Sequence, residues 1–164
     1  MTDYRASFVD LDTARLHVVE AGAGVPLVAV HGLLGTARSD FNTTLDWLAE
    51  SYHVFGPTLR GYGQSTPKPR QFTPDFYQRD AADLLALLDA LALDRVHLLG
   101  YSDGGETALL AAAQQPQRFA SVTVIGAVGY YGPQVRIAAQ RMFPATWMTD
   151  DDKTHHAITD PDAF

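Results

Sequence analysis

Cysteine is absent from this chain of 164 residues. Disulfides, thiolate metal sites and cysteine nucleophiles are all excluded by that one fact. Positive charge is in short supply: 12 lysines and arginines stand against 19 aspartates and glutamates, a formal net charge of −7. Neither nucleic acid nor an anionic membrane surface suits such a balance as main partner. No apolar run approaches the roughly 20 residues needed to span a bilayer. Met1-Thr2-Asp3-Tyr4-Arg5 is not a basic region leading into an apolar one. A cytoplasmic protein without a signal peptide is therefore expected. Internal repeats and low-complexity segments are missing too.

What is present is enough apolar material for the core of one domain, 46% hydrophobic residues, and too little charge, 19%, for a disordered chain. Residues 14 to 20 alternate as a strand does, and Gly22-Ala23-Gly24 ends it. Pro26 to Val30 is a continuous apolar run, the pattern of a short strand buried on both faces. Thr36, Ser39 and Asp40 are candidate N-caps for a helix over Phe41 to Glu50, and Tyr52 to Phe55 is the next strand. Thr73-Pro74-Asp75 reads as a helix start, with Phe76, Leu84, Leu87, Leu88 and Leu91 at core spacing down to Leu93. Ser121 to Gly126 is the last strand. Strands alternating with helices in this way predict a parallel α/β sheet with right-handed crossovers.

The stretch that organises the rest is Val96 to Glu106. An apolar run ends in Gly100-Tyr101-Ser102-Asp103-Gly104, and an alanine-rich helical run follows from Thr107 to Ala113. A buried strand that turns sharply at a serine and becomes a helix is a nucleophile elbow. The strained turn needs small flanking residues, here Gly100 and Gly104. Ser102 then stands at the positive end of the following helix, where a developing oxyanion is favoured.

Three segments together, His31-Gly32-Leu33-Leu34-Gly35, Arg60-Gly61-Tyr62-Gly63-Gln64-Ser65 and Gly100-Tyr101-Ser102-Asp103-Gly104-Gly105, resemble the α/β-hydrolase superfamily. Ser-Asp-Gly-Gly at the elbow, Ser39-Asp40-Phe41 and Phe72 to Asp80 are similar to its valacyclovirase (biphenyl-hydrolase-like) group of serine hydrolases. The resemblance covers roughly residues 13 to 131, the front half of a family domain. It implies hydrolysis of small-molecule esters through an acyl-enzyme on Ser102, with the backbone N–H groups of Leu33 and Asp103 as the oxyanion hole. It also implies that Asp103 binds the ammonium of α-amino acid esters; an acid at a helix start, stabilised by the dipole, is the plain alternative. His31, Gly32, Gly100 and Gly104 take structural places near the site, and Arg60 ties down its own loop. Thr58 departs from the family, which usually places aspartate there. No cofactor and no metal are implied.

A Ser-His-acid device needs a base and a carboxylate, and in this fold both follow the serine on later strands. Too few residues follow Ile125 for a lid and two more units of about thirty residues each. Asp150, Asp151, Asp152, His155 and His156 occur in the tail in the right order, but no strand precedes them to hold them rigidly. The expectation is therefore an α/β-hydrolase fold truncated after the strand following the nucleophile helix. Residues 1–128 form the front of its core, and 129–164 begin a lid and tail. Such a chain would self-associate or pair with a complementing C-terminal segment. The alternatives are a perhydrolase or haloperoxidase-like enzyme using the same serine, and a catalytically silent binding module. Aspartate-nucleophile chemistry is disfavoured by Ser102.

Overall fold

A computed structural model describes residues 2–127 and 129. The expected tail groups Asp150, Asp151, Asp152, His155 and His156 lie outside these described residues, as does the expected lid. In chain order the elements are β1 (Arg5–Asp10), β2 (Arg15–Ala21), β3 (Val25–Val30), α1 (Ala37–Phe41), α2 (Thr43–Leu48), β4 (Tyr52–Pro57), α3 (Phe76–Ala90), β5 (Val96–Tyr101), α4 (Asp103–Gln114), a 3₁₀ turn (Pro116–Arg118) and β6 (Phe119–Ile125). The strands form one sheet in the order β1-β2-β4-β3-β5-β6. Strand β3 pairs in parallel with β4 and β5, and β5 with β6. Antiparallel pairing is confined to β1–β2 and β2–β4. The sheet is thus the mostly parallel one expected. No helix among the described residues is long and apolar enough to cross a membrane.

The apolar run of β3 shows why its pattern is continuous. Successive side chains of a strand point to opposite faces, and both faces here are cores. Val28 and Val30 join Leu84, Leu87 and Leu88 of α3 and Ala108 and Ala111 of α4 in one cluster. Leu27 and Ala29 join Phe41 of α1 and Leu45 and Leu48 of α2 in the other. Each fully buried leucine or valine is worth about 1.5–3 kcal/mol. The two helical layers therefore clamp β3 and β5 rigidly, and β5 is the strand that delivers Ser102.

Four local readings need correcting. Strand β1 is invisible in the sequence pattern because it lies almost wholly exposed, with no buried stripe. Pairing with β2 holds it, along with Phe8 packed on the His17 ring beneath the Arg15 guanidinium. The single helix expected over Phe41 to Glu50 is two short helices. Thr36 and Ser39 form a capping box that starts α1 at Ala37, and Asn42 at φ +40° breaks the chain before α2; asparagine tolerates that left-handed backbone better than most residues. The long helix begins at Phe76 and not at the expected threonine cap. Thr73 donates its hydroxyl to the Asp75 carboxylate at 2.6 Å, and the N-cap residue is Asp75, which makes no side-chain hydrogen bond to the helix. It ends at Ala90, before the expected Leu93, because Ala92 adopts φ +54°. The last strand also starts two residues early, at Phe119.

Candidate active site

Ser102 sits between β5 and α4 at φ +51°, ψ −121°. A non-glycine residue there costs of order 1–3 kcal/mol, so its surroundings must over-determine the turn. They do so from three sides. The Ser102 N–H donates to the Ile125 carbonyl of β6 at 2.8 Å, and the Gly105 N–H donates to the Ser102 carbonyl at 2.8 Å. A side chain at Gly104 would place Cβ 2.2 Å from the Val30 carbonyl oxygen and 2.4 Å from that of His31. Gly100 has the same constraint, with its Cβ position 2.5 Å from the Gly104 carbonyl oxygen. The helix is thus pressed against β3 and the end of β5, and Ser102 is squeezed outward, half-buried.

The loop after β3 lies against this turn, since a Cβ on Gly32 would stand 3.0 Å from Ser102 Cβ. Leu33 follows it, about half exposed. Asp103 is the first residue of α4, so its N–H has no carbonyl acceptor within the helix. His31, fully buried, joins Nδ1 to the Gly32 carbonyl at 2.7 Å and accepts the Leu59 N–H on Nε2 at 2.9 Å. Nδ1 therefore carries the proton, and both ring nitrogens are committed to backbone. Asp40, legible in the sequence only as a cap candidate and a resembling residue, has a second task. Its Oδ2 accepts the Gly32 N–H at 2.9 Å and its Oδ1 accepts the Ser39 hydroxyl at 2.9 Å, pinning the loop that carries Leu33.

Burial holds the His31 imidazolium below its ordinary value of 6.5, against the pull of the Gly32 carbonyl and the Asp40 charge. Protonating Nε2 would also set two donors, Nε2–H and the Leu59 N–H, against each other. The unfolded chain thus binds this proton more readily than the folded one. Stability is expected to be complete above about pH 6.5 and to fall as the pH drops from there toward the depressed folded value. Thermal unfolding followed from pH 7.5 to 5 measures this. The slope below pH 6.5 shrinks in His31→Asn, and an equal slope in both proteins would assign it to other groups.

The loop between β4 and α3 flanks the site and is tied down by two buried ion pairs. Arg60 holds Asp83 through Nε and Nη2, both at 2.5 Å, and Thr13 Oγ1 at 2.8 Å. Its grip thus extends beyond its own loop to α3. Arg70 holds Asp80 at 2.8 and 2.5 Å and also donates to the Arg60 carbonyl at 3.0 Å. Thr58, where aspartate is usual in the resembling family, is buried; its N–H donates to the His17 carbonyl, and its carbonyl accepts the Ser65 hydroxyl. The Asp103 carboxylate is half-buried and accepts the Tyr77 hydroxyl on Oδ1 at 2.8 Å. Burial raises its pKa above the ordinary 3.8, while that hydrogen bond and the Arg70 charge pull it back down.

With this geometry in place, the profile of the alpha/beta hydrolase fold family matches residues 25–153. The chain belongs to the alpha/beta hydrolase fold family. Among members of this family it is similar to the serine hydrolase BPHL of Homo sapiens, 38% identical over 131 residues, which are 79% of this chain and 45% of that one. It is also 32% identical to a 2-hydroxymuconate semialdehyde hydrolase of Pseudomonas sp. (strain CF600), over 73% of this chain and 42% of that one. The crystal structure of a serine hydrolase from Cycloclasticus zankles superposes with TM-score 0.73 at 27% identity, covering 80% of this chain and 48% of the other. The chain therefore spans less than half the length of these alpha/beta hydrolase fold relatives.

A hydrolase-fold serine needs a histidine, and none of those described is placed to serve Ser102. His31 has no ring nitrogen to spare. His53, bonded to Glu20, and His97, bonded to Ser121, lie at the starts of β4 and β5, the end of the sheet opposite the elbow. His17 is on β2, three strand positions from β5, or about 14 Å at the usual spacing. Among the described residues no group of histidines and carboxylates is close enough to hold a metal ion.

Proposed function

We propose that this chain carries the nucleophile of a serine hydrolase acting on carboxylic esters, α-amino acid esters among them, through an acyl-enzyme on Ser102. The observation that carries the reading is Ser102 held at positive φ between β5 and the N-terminus of α4. Ser102 Oγ bonds to the ester carbonyl carbon, and the carbonyl π pair moves onto oxygen, toward the N–H groups of Asp103 and Leu33. The serine proton passes to a base, which lies outside the described residues. Collapse of the adduct expels the alcohol, which takes that proton, and water then repeats the sequence to free the acid. The Asp103 carboxylate pairs with the substrate's ammonium where solvent is partly excluded and the attraction is stronger than at the surface. Asp103→Asn is accordingly expected to cost α-amino acid esters about 1–3 kcal/mol in kcat/KM and amine-free esters much less. Equal losses would make Asp103 a brace of the elbow.

A second reading, a silent binding protein of the same fold, is favoured by the committed nitrogens of His31. An alkyl fluorophosphonate separates the two, since an activated Ser102 displaces fluoride and keeps the phosphonyl group. Mass spectrometry of the labelled chain locates the adduct. Modification of Ser102 supports the hydrolase, and a Ser102 that stays unmodified both in the 164-residue chain and in its complex with a complementing segment supports the binding protein.

The outer edge of β6 carries no paired strand among the described residues, and Val124 and Ile125 stand exposed on it. Such an edge is a template for another strand. We therefore propose that it pairs with a second copy or with a complementing segment. Size-exclusion chromatography with light scattering is expected to show self-association of the 164-residue chain. A sharply melting monomer would overturn this.

A further inference from the structure

Asp103 has two separable parts at the elbow: an N–H that opens α4 and a carboxylate that reaches away to α3. Tyr77, the second residue of α3, donates its hydroxyl to Asp103 Oδ1 at 2.8 Å. Its ring lies on that of Phe76, centroids 3.9 Å apart, and Phe76 meets the edge of Phe72 at 5.5 Å. The phenol is therefore braced by aromatic neighbours before it reaches the acid. Oδ2 of Asp103 takes no hydrogen bond from the described residues.

We infer that Tyr77 is a positioning residue for ammonium recognition: its hydroxyl holds the Asp103 carboxylate through Oδ1 and leaves Oδ2 to a ligand's cationic amine. This rests on the reading of Asp103 as the amine-binding group. The chemistry of the clamp favours it. A neutral phenol fixes the carboxylate without cancelling its charge, which an arginine or lysine in that place would do. A carboxylate already fixed gives up less rotamer freedom when the amine arrives, and that saving appears as affinity. The other titratable groups acting on Asp103 are Arg70, from the loop before α3, and Glu106, one turn along α4; Tyr62 senses the Asp103 charge in turn. Burial raises the Asp103 pKa, and the Tyr77 hydrogen bond opposes that rise. Without the phenol oxygen the carboxylate is expected to protonate at higher pH.

The test uses the 164-residue chain as it stands and needs no turnover. Carboxyl ¹³C NMR follows Asp103 through a pH titration in the wild type and in Tyr77→Phe, with the resonance assigned by its loss in Asp103→Asn. Binding of L-phenylalaninamide, and of 3-phenylpropionamide as its amine-free counterpart, is read from amide shift titrations of the same three proteins. The expected results are an upward-shifted Asp103 midpoint in Tyr77→Phe and about three- to tenfold weaker binding of the amine-bearing amide, with the amine-free amide unchanged. A merely structural tyrosine would weaken both ligands alike. If Tyr77→Phe leaves the Asp103 midpoint and the amine preference where they were, the inference is overturned while the Asp103 reading survives. An amine preference absent from the wild type, or retained in Asp103→Asn, overturns the Asp103 reading itself.

Discussion

Ser102→Ala is expected to remove covalent labelling by the fluorophosphonate completely. In any form of the protein that turns over esters, it should lower kcat/KM by about 10⁴-fold or more. The fold should survive, because the hydroxyl takes no part in holding the turn. Backbone bonds to Ile125 and Gly105 do that, and alanine keeps both. A second substitution separates chemistry from strain. Ser102→Gly is expected to be equally inactive, yet glycine adopts φ +51° without the penalty a side chain incurs. Ser102→Gly should therefore be more stable than Ser102→Ala by up to about 1 kcal/mol, the strain relieved less the entropy glycine adds to the unfolded chain. Chemical denaturation of the two variants measures the difference. Labelling retained in either variant would move the nucleophile elsewhere, and a glycine variant no more stable than the alanine variant would mean the turn stores no strain.

The largest stability loss is expected at Asp80. Its carboxylate and the Arg70 guanidinium form a two-pronged pair, their side chains 1% and 7% exposed, so neither charge can turn to water if the other is lost. Asp80→Ala strands Arg70 among Tyr62, Phe72 and Phe76, whose ring centroids lie 4.8 to 5.5 Å from its guanidinium carbon. Breaking such a pair from one side costs about 3–5 kcal/mol, against a total domain stability of about 5–15 kcal/mol. The urea midpoint should fall accordingly. Replacing both partners by apolar residues, as in Arg70→Met with Asp80→Leu, should recover most of the loss, because no bare charge is then left inside. A single variant costing under about 1 kcal/mol would mean that the pair is wet in solution.

Arg70 also shows how far the sequence could be followed. The elbow was legible because its constraint is local: a serine between glycines, at the junction of an apolar run and a helical run, is what such a turn needs. The same holds for β3, whose continuous apolar run announces burial on both faces, and for the core spacing of Leu84, Leu87 and Leu88. By contrast, Arg70, Asp80, Asp83 and Tyr77 have no local signature. A buried arginine reads like a surface one until a carboxylate from another element is beside it.

Sequence by itself therefore determined the class of fold, the position of the serine and the small residues around it, since each follows from backbone sterics and hydrophobic period within a few residues. Tertiary structure alone decided what surrounds that serine. It committed both nitrogens of His31 to backbone, set Asp40 beneath the Gly32 N–H, and brought Tyr77 to Asp103 across 26 positions of chain. It also added β1, a strand made by pairing and not by burial. The physical reason is common to all four. Hydrogen bonds between groups on different segments depend on ångström-scale placement by the packed sheet and helices, and a linear pattern carries no record of that placement.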